Sequence, residues 1–223
     1  MAWYVFALVD RAPRKPAGRA FRGPLSFRRV ANAFAAVERR ADVPPAEFGV
    51  LEKHHAIVSR LARLVPAILP VRFGTLLETE ELDDRLAERD EELARAFALV
   101  RNRVQFTWRV NGRGPRTFAG RPGRGQRRGV AVTSGAEYLI RAAAAARPEP
   151  PAAYRPIRTA LAPFVVAQRY ERRTDAIADA LYHLVEARNA GRYLAAAGVL
   201  LRADPRFSLT GPWPPFAFAP EGL

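Results

Sequence analysis

Hydrophobic and polar positions along this chain change period several times, and the changes predict a mixed succession of strands and helices. Residues 3–9 (WYVFALV) are a continuous apolar run, as expected of a strand buried on both faces. Residues 10–24 hold Pro13, Pro16, Pro24, Gly18 and Gly23 and read as loop. From Leu25 to Arg40 the pattern fits either a strand pair or a strand followed by a short helix. Pro44 and Pro45 mark a boundary. Phe48, Leu51, His55, Val58, Leu61, Ala62 and Val65 then recur at helical spacing, which predicts an amphipathic helix over 45–65. AILPVRFG (67–74) reads as a strand. Pro70 within it cannot donate a ladder hydrogen bond, which favours an edge or a bulge. Thr79 is placed to cap the next helix, with Glu80 and Glu81 in its first turn and Leu82, Leu86, Leu93, Phe97 and Val100 as its apolar stripe.

The clearest strand follows. Val104, Phe106, Trp108 and Val110 alternate with Arg103, Gln105, Thr107 and Arg109, so one face should be buried and the other polar. Residues 111–129 carry six Gly and six Arg, a composition that predicts a mobile loop. Ser134 with Glu137 fits a capping box that opens a helix to about Arg147, and a second helical piece runs from Tyr154 to about Ala162. Two strand-like runs (164–171 and 177–186), a helix from Ala190 capped by Asn189, and a short strand (206–210) precede an aromatic, proline-rich tail. From residue 101 onward the order is β–α–β–β–α–β, the ferredoxin-like arrangement. The expected fold class is α+β with two domains. Residues 1–100 form an N-terminal α/β unit, and residues 101–223 a ferredoxin-like unit ending in a tail over 211–223.

Composition narrows the function. Over 223 residues, 36 Lys+Arg against 22 Asp+Glu give a net charge of +14, nearly all of it arginine. A hydrophobic fraction of 49% argues against a disordered chain, since it is enough apolar mass to offset ordering entropy. The absence of cysteine excludes disulfides, thiolate metal sites and a cysteine nucleophile. No apolar run reaches the roughly 18–20 residues needed to span a bilayer, and the N-terminus fits a first strand better than a signal peptide, so the expectation is a soluble intracellular protein.

Candidate chemistry is sparse. Adjacent His54 and His55 diverge by about 100° on a helix and cannot converge on a metal, and His183 is distant in sequence. No GxSxG, GxxxxGK[ST] or strand-linked GxGxxG is present. The nine acids in 78–92 read as a solvated helix face. The sequence therefore predicts no enzyme, no cofactor and no metal. Two acid-free basic stretches remain: Asp10–Glu38 with seven basic residues between, and Glu92–Glu137 with ten arginines. These leave two readings open, a protein-binding module and a basic nucleic-acid-binding protein using its Arg-rich loops. Only Phe118 is available in 111–129 to stack a base, and paired RNP aromatics are missing.

Three stretches together resemble the GvpF/GvpL gas vesicle proteins: HHAIVSRLARLVPAILPVRFGTLLE (54–78) with its LPxRFGT strand, SGAEYLIRA (134–142), and FSLTGPWPPFAF (207–218) with its TGPWPP run. They fall in family order along the whole chain. The resemblance implies two α+β domains and a minor structural or assembly protein of gas vesicles. Such a protein would bind the major shell protein during vesicle formation, keep company with other accessory proteins, and be located at the gas vesicle. Candidate partner contacts by this resemblance are Leu69, Pro70, Arg72, Phe73, Gly74, Gly211, Pro212, Trp213, Pro214, Pro215 and Phe216. Each has a structural reading as well. Gly74 suits a positive-φ turn, Arg72 could pair with the acidic 78–92 helix, and the tail could fold back on its own domain.

Overall fold

The computed structural model describes residues 2–110, 148–172 and 179–222. The Arg/Gly segment 111–129 and the helix expected from Ser134 to Arg147 lie outside the described residues.

The first unit is built on β1 (Ala2–Val9), whose apolar run is covered on both sides. A hairpin of β2 (Ser26–Val30) and β3 (Ala33–Arg40) settles the ambiguous stretch as a strand pair, turned at Ala31 with φ 46°. On the other side of β1 lie β4 (Ile68–Pro70) and β5 (Leu76–Glu78), giving the order β2-β3-β1-β4 with β5 also on β1, all antiparallel. Helix α1 (Phe48–Ala62) covers one face through Ile57, Val58 and Leu61, against Tyr4, Phe6 and Val9. Helices α2 (Thr79–Ala87) and α3 (Asp90–Val100) cover the other with Leu82, Leu86, Leu93, Phe97 and Val100, against Val5, Leu8 and Val37. The Arg28–Asp83 ion pair, at 2.5 Å, ties β2 to α2.

Three sequence expectations change here. Thr79 does not cap: it is the first helical residue, no side chain caps α2, and its hydroxyl accepts the Trp3 Nε1–H at 2.9 Å. The stripe to Val100 is carried by two helices, because the chain leaves helical geometry at Arg89. The break gives Asp90, Glu91 and Glu92 a helix N-terminus of their own, where negative charge is favoured. On α1 the inward face is His54, Ile57, Val58 and Leu61, which turns Phe48, Leu51 and His55 off the sheet.

The second unit is an antiparallel sheet in the order β7-β8-β6-β9, formed by β6 (Arg103–Val110), β7 (Val165–Glu171), β8 (Ala180–Glu186) and β9 (Phe207–Trp213). Helices α4 (Arg155–Leu161) and α5 (Ala190–Ala203) cover one face. The core there is Phe106, Trp108, Ile157, Leu161, Leu181, Val185, Tyr193 and Phe207. Asn189 sits at the N-cap of α5 without capping it; its amide donates to Glu186 at 3.2 Å. The polar face of β6 is not solvated either. Gln105 and Thr107 are each only 4% exposed; Gln105 Oε1 accepts the Ala217 N–H of the C-terminal tail at 2.8 Å, and its amide reaches Thr107 Oγ1 at 3.4 Å.

Candidate functional site

The stretch expected to be a single strand over 67–74 is an edge strand interrupted once. Ala7 pairs with Pro70 and Tyr4 with Leu76, so the register steps by three residues, and Arg72, Phe73 and Gly74 bulge out of the ladder. Val71 donates to Phe6 O at 3.1 Å and Val5 to Thr75 O at 3.0 Å, which closes the bulge on both sides. Pro70, lacking an N–H, ends the first half. Gly74 turns the chain at φ +91°, a conformation that costs other residues a steric penalty. Its N–H donates to Tyr4 Oη at 3.1 Å, and Tyr4 Oη lies 3.0 Å from His54 Nδ1. Since Tyr4 accepts from Gly74, its own proton is left for His54. Phe73 meets the His54 ring edge-on at 5.4 Å between centroids. Burial lowers the His54 pKa to about 4, with the Val71 backbone opposing the shift, so this histidine is a neutral core group. Leu69 and Pro70 are buried and Arg72 is exposed. Among the described residues the acidic helices are met by Arg28, Arg85, Arg89 and Arg95, and Arg72 forms no ion pair with them.

The closing run is ordered in two parts. Thr210, Gly211, Pro212 and Trp213 belong to β9, longer than the strand expected from sequence, with a register shift against β6 between Gln105 and Thr107 that accommodates Pro212 on an edge strand. Gly211 has φ +124°, and a Cβ there would sit 2.7 Å from Gln105 O and 2.9 Å from Phe106 Cδ1. Gly211→Ala is therefore expected to destabilise by about 2–4 kcal/mol, combining backbone strain with a clash against backbone that cannot step aside. A melting temperature within a degree of the parent would refute this close approach.

Beyond β9 the tail becomes a strap. Pro214 and Pro215 are buried. Phe216 packs with the α1-side core of the first sheet, whereas Phe218 and Ala219 pack with the core under α2 and α3, so the chain crosses the sheet at its β4 edge. Arg169 of β7 donates to Ala217 O at 3.1 Å and Arg89 to Glu221 O at 2.8 Å. The tail thus covers an otherwise open strand edge and joins both units, rather than folding back on one.

Helix α1 brings the two motif stretches together. His54 points in, against Phe73; its neighbour His55 points out, stacking on Phe216 at 5.6 Å and meeting Trp213 at 5.1 Å. Sequence reasoning missed what surrounds them. Val43 (46% exposed) lies 3.6 Å from where a Cβ on Gly74 would stand, and Phe48 (77%) and Leu51 (40%) stand on the outer side of α1 beside His55, which meets Trp213, at 37%. The signal was available: Ile57 and His54 complete a better inward stripe than Phe48 and Leu51 do. What this seam offers chemically is exposed apolar and aromatic area.

Comparison with known proteins gives three findings. The family model described as gas vesicle synthesis protein GvpL/GvpF matches residues 2–220. The crystal structure of the gas vesicle protein GvpF from an Anabaena species superposes with a TM-score of 0.69 at 12% identity, covering 100% of this chain and 97% of that one. GvpF from Microcystis aeruginosa superposes with a TM-score of 0.72 at 12% identity, covering 98% and 99%. No curated protein sequence matches. The structural likenesses carry the fold: mixed helix and strand on two antiparallel sheets.

Proposed function

This chain belongs to the gas vesicle synthesis GvpL/GvpF family, and on that premise we propose that it binds the major gas vesicle shell protein during vesicle formation, as an assembly or minor structural component. Membership ties it to gas vesicles and to other gas vesicle proteins; the shell protein as direct partner, and the vesicle as its location, are part of the proposal. A shell subunit with one very apolar face is prone to aggregate before it is built into the wall, and an accessory protein can cover that face.

One observation supports the choice of surface. Val43, Phe48, Leu51 and Trp213 leave large apolar side chains in solvent around α1, where both family stretches meet. Trp213 is the sort of anchor that carries interface energy, and Arg72 on the neighbouring bulge is exposed, placed to orient a partner. We place Leu69, Pro70, Gly74, Gly211, Pro214 and Pro215 as residues that build this surface, and Arg72, Pro212 and Trp213 as those that touch the partner. Phe73 and Phe216 hold the two histidines from either side. We further read residues 1–100 and 101–223 as two domains, supported by the separate sheets and cores. The second is ferredoxin-like, supported by its strand order with both helices on one face.

Phe48→Ser/Leu51→Ser is expected to weaken binding of the shell protein by at least about tenfold and to leave the melting temperature nearly unchanged, since neither side chain is in the core. Trp213→Ala should act in the same direction. Phe216→Ala should lose stability first, because Phe216 is packed. Retention of the shell protein by the double variant in co-purification, at the parent's level, would remove α1 from the interface.

A further inference from the structure

A cleft of about 580 Å³ opens between α4 and the edge strand β7, on elements distinct from α1 and the bulge. Its polar lining is Arg155, Arg158, Thr159, Gln168 and His183, and no Asp or Glu is among its described lining residues. Every one of these side chains can donate a hydrogen bond. Arg155 and Arg158 are exposed, and among the described residues neither has an acidic partner.

His183 is the unusual member. It is fully buried and belongs to the lining of the cleft. Its tautomer follows from its neighbours. Trp108 Nε1–H, which can only donate, reaches Tyr193 Oη at 2.6 Å, and Tyr193 Oη lies 2.9 Å from His183 Nδ1. The tyrosine proton is left for Nδ1, so the neutral imidazole carries its own proton on Nε2. That atom is buried and, among the described residues, has no hydrogen-bond partner. Among the described residues, a buried donor without a partner and two guanidinium groups without acidic partners belong to the lining of one cleft, and such donors call for an acceptor.

We propose that this cleft binds the phosphate group of a small, nucleotide-sized metabolite, with Arg155 and Arg158 gripping the oxyanion in front of the His183 Nε2–H. Guanidinium forks match phosphate oxygens in pairs. The volume is that of an ordinary small-ligand pocket, and Val165 and Val166 supply an apolar wall for the rest of the molecule. Arg158 lies close enough for its charge to act on His183, which places the two groups in one site.

Calorimetric titration of the full chain with AMP and with pyrophosphate tests this in three forms: the parent, Arg155→Ala/Arg158→Ala, and a charge-matched control, Arg63→Ala/Arg202→Ala. The parent and the control should bind, and the cleft variant should bind at least about tenfold more weakly. In histidine-labelled protein, AMP should move the His183 Nε2 resonance in the parent and the control only. AMP binding more tightly than pyrophosphate assigns the valine wall to the organic part; pyrophosphate binding more tightly than AMP overturns the nucleotide-sized ligand. The proposal is overturned if succinate binds as well as either phosphate ligand, if both double variants weaken equally, or if no heat and no resonance shift accompany millimolar ligand.

Discussion

Replacing Trp108 with alanine is expected to cost about 3–5 kcal/mol, the range for large aromatic truncations in a core. Trp108 has no exposed surface, meets Phe207 edge-on at 6.2 Å, and donates its indole N–H to Tyr193. Tyr193 in turn stacks on Phe106 at 4.4 Å and holds His183. Alanine would open a cavity and break the donor chain at its source. Trp108→Phe separates these effects, since it keeps most of the volume and loses the donor, and should cost about 1–3 kcal/mol. Denaturant unfolding of both variants checks the order; a loss below about 0.5 kcal/mol for alanine would contradict the packing described.

Acid should destabilise the protein well before its carboxylates are all protonated. Burial lowers the pKa of both His54 and His183 from 6.5 to about 4, and the charge of Arg158 adds to the shift at His183. A folded pKa below the unfolded one means that the unfolded chain binds the proton more readily. The stabilising effect is complete above about pH 6.5 and is lost as pH falls toward 4. Linkage gives a loss of about 3–4 kcal/mol for the two histidines together between pH 7 and pH 5. Unfolding free energies at pH 7, 6 and 5 read this directly. His54→Gln and His183→Gln, each less stable at pH 7, should have flatter profiles, and unchanged slopes would show that neither histidine is the titrating group.

The parts of the fold that show in the sequence are those whose burial is uniform along one element. β1 reads as a strand because both its faces are covered, and β6 because four large apolar residues alternate without a break. The edge formed by β4 and β5 was half hidden, since the Arg72–Phe73–Gly74 bulge shifts the register by three residues and disrupts the period. The stripe expected for helix α1 is half right: Val58, Leu61 and Val65 are buried, whereas Phe48 and Leu51 are exposed. The helix has apolar residues on two sides, and only the sheet beneath it selects Ile57 over Phe48. The TGPWPP run was legible as a family signature, yet its place as a strap was not. The contacts that fix it, such as the Ala217 N–H to Gln105 Oε1, join a backbone group to a side chain 112 residues away, a pairing that local side-chain periodicity does not encode. His183 Nε2 shows the same limit: only the Trp108–Tyr193 pairing reveals which nitrogen carries the proton.

The net charge of +14 keeps a competing partner in view, and salt distinguishes the two. A protein neutralising about six to ten phosphates loses roughly 10³–10⁵ in affinity between 50 and 200 mM salt, whereas apolar burial hardly changes over that range. Binding of the nuclease-treated protein to the major gas vesicle shell protein, measured across that salt range, is the direct test of the proposed function. The account predicts binding that weakens by less than about threefold and is lost in Phe48→Ser/Leu51→Ser. Tight, steeply salt-dependent binding to RNA or DNA, with no detectable binding to the shell protein, would contradict it.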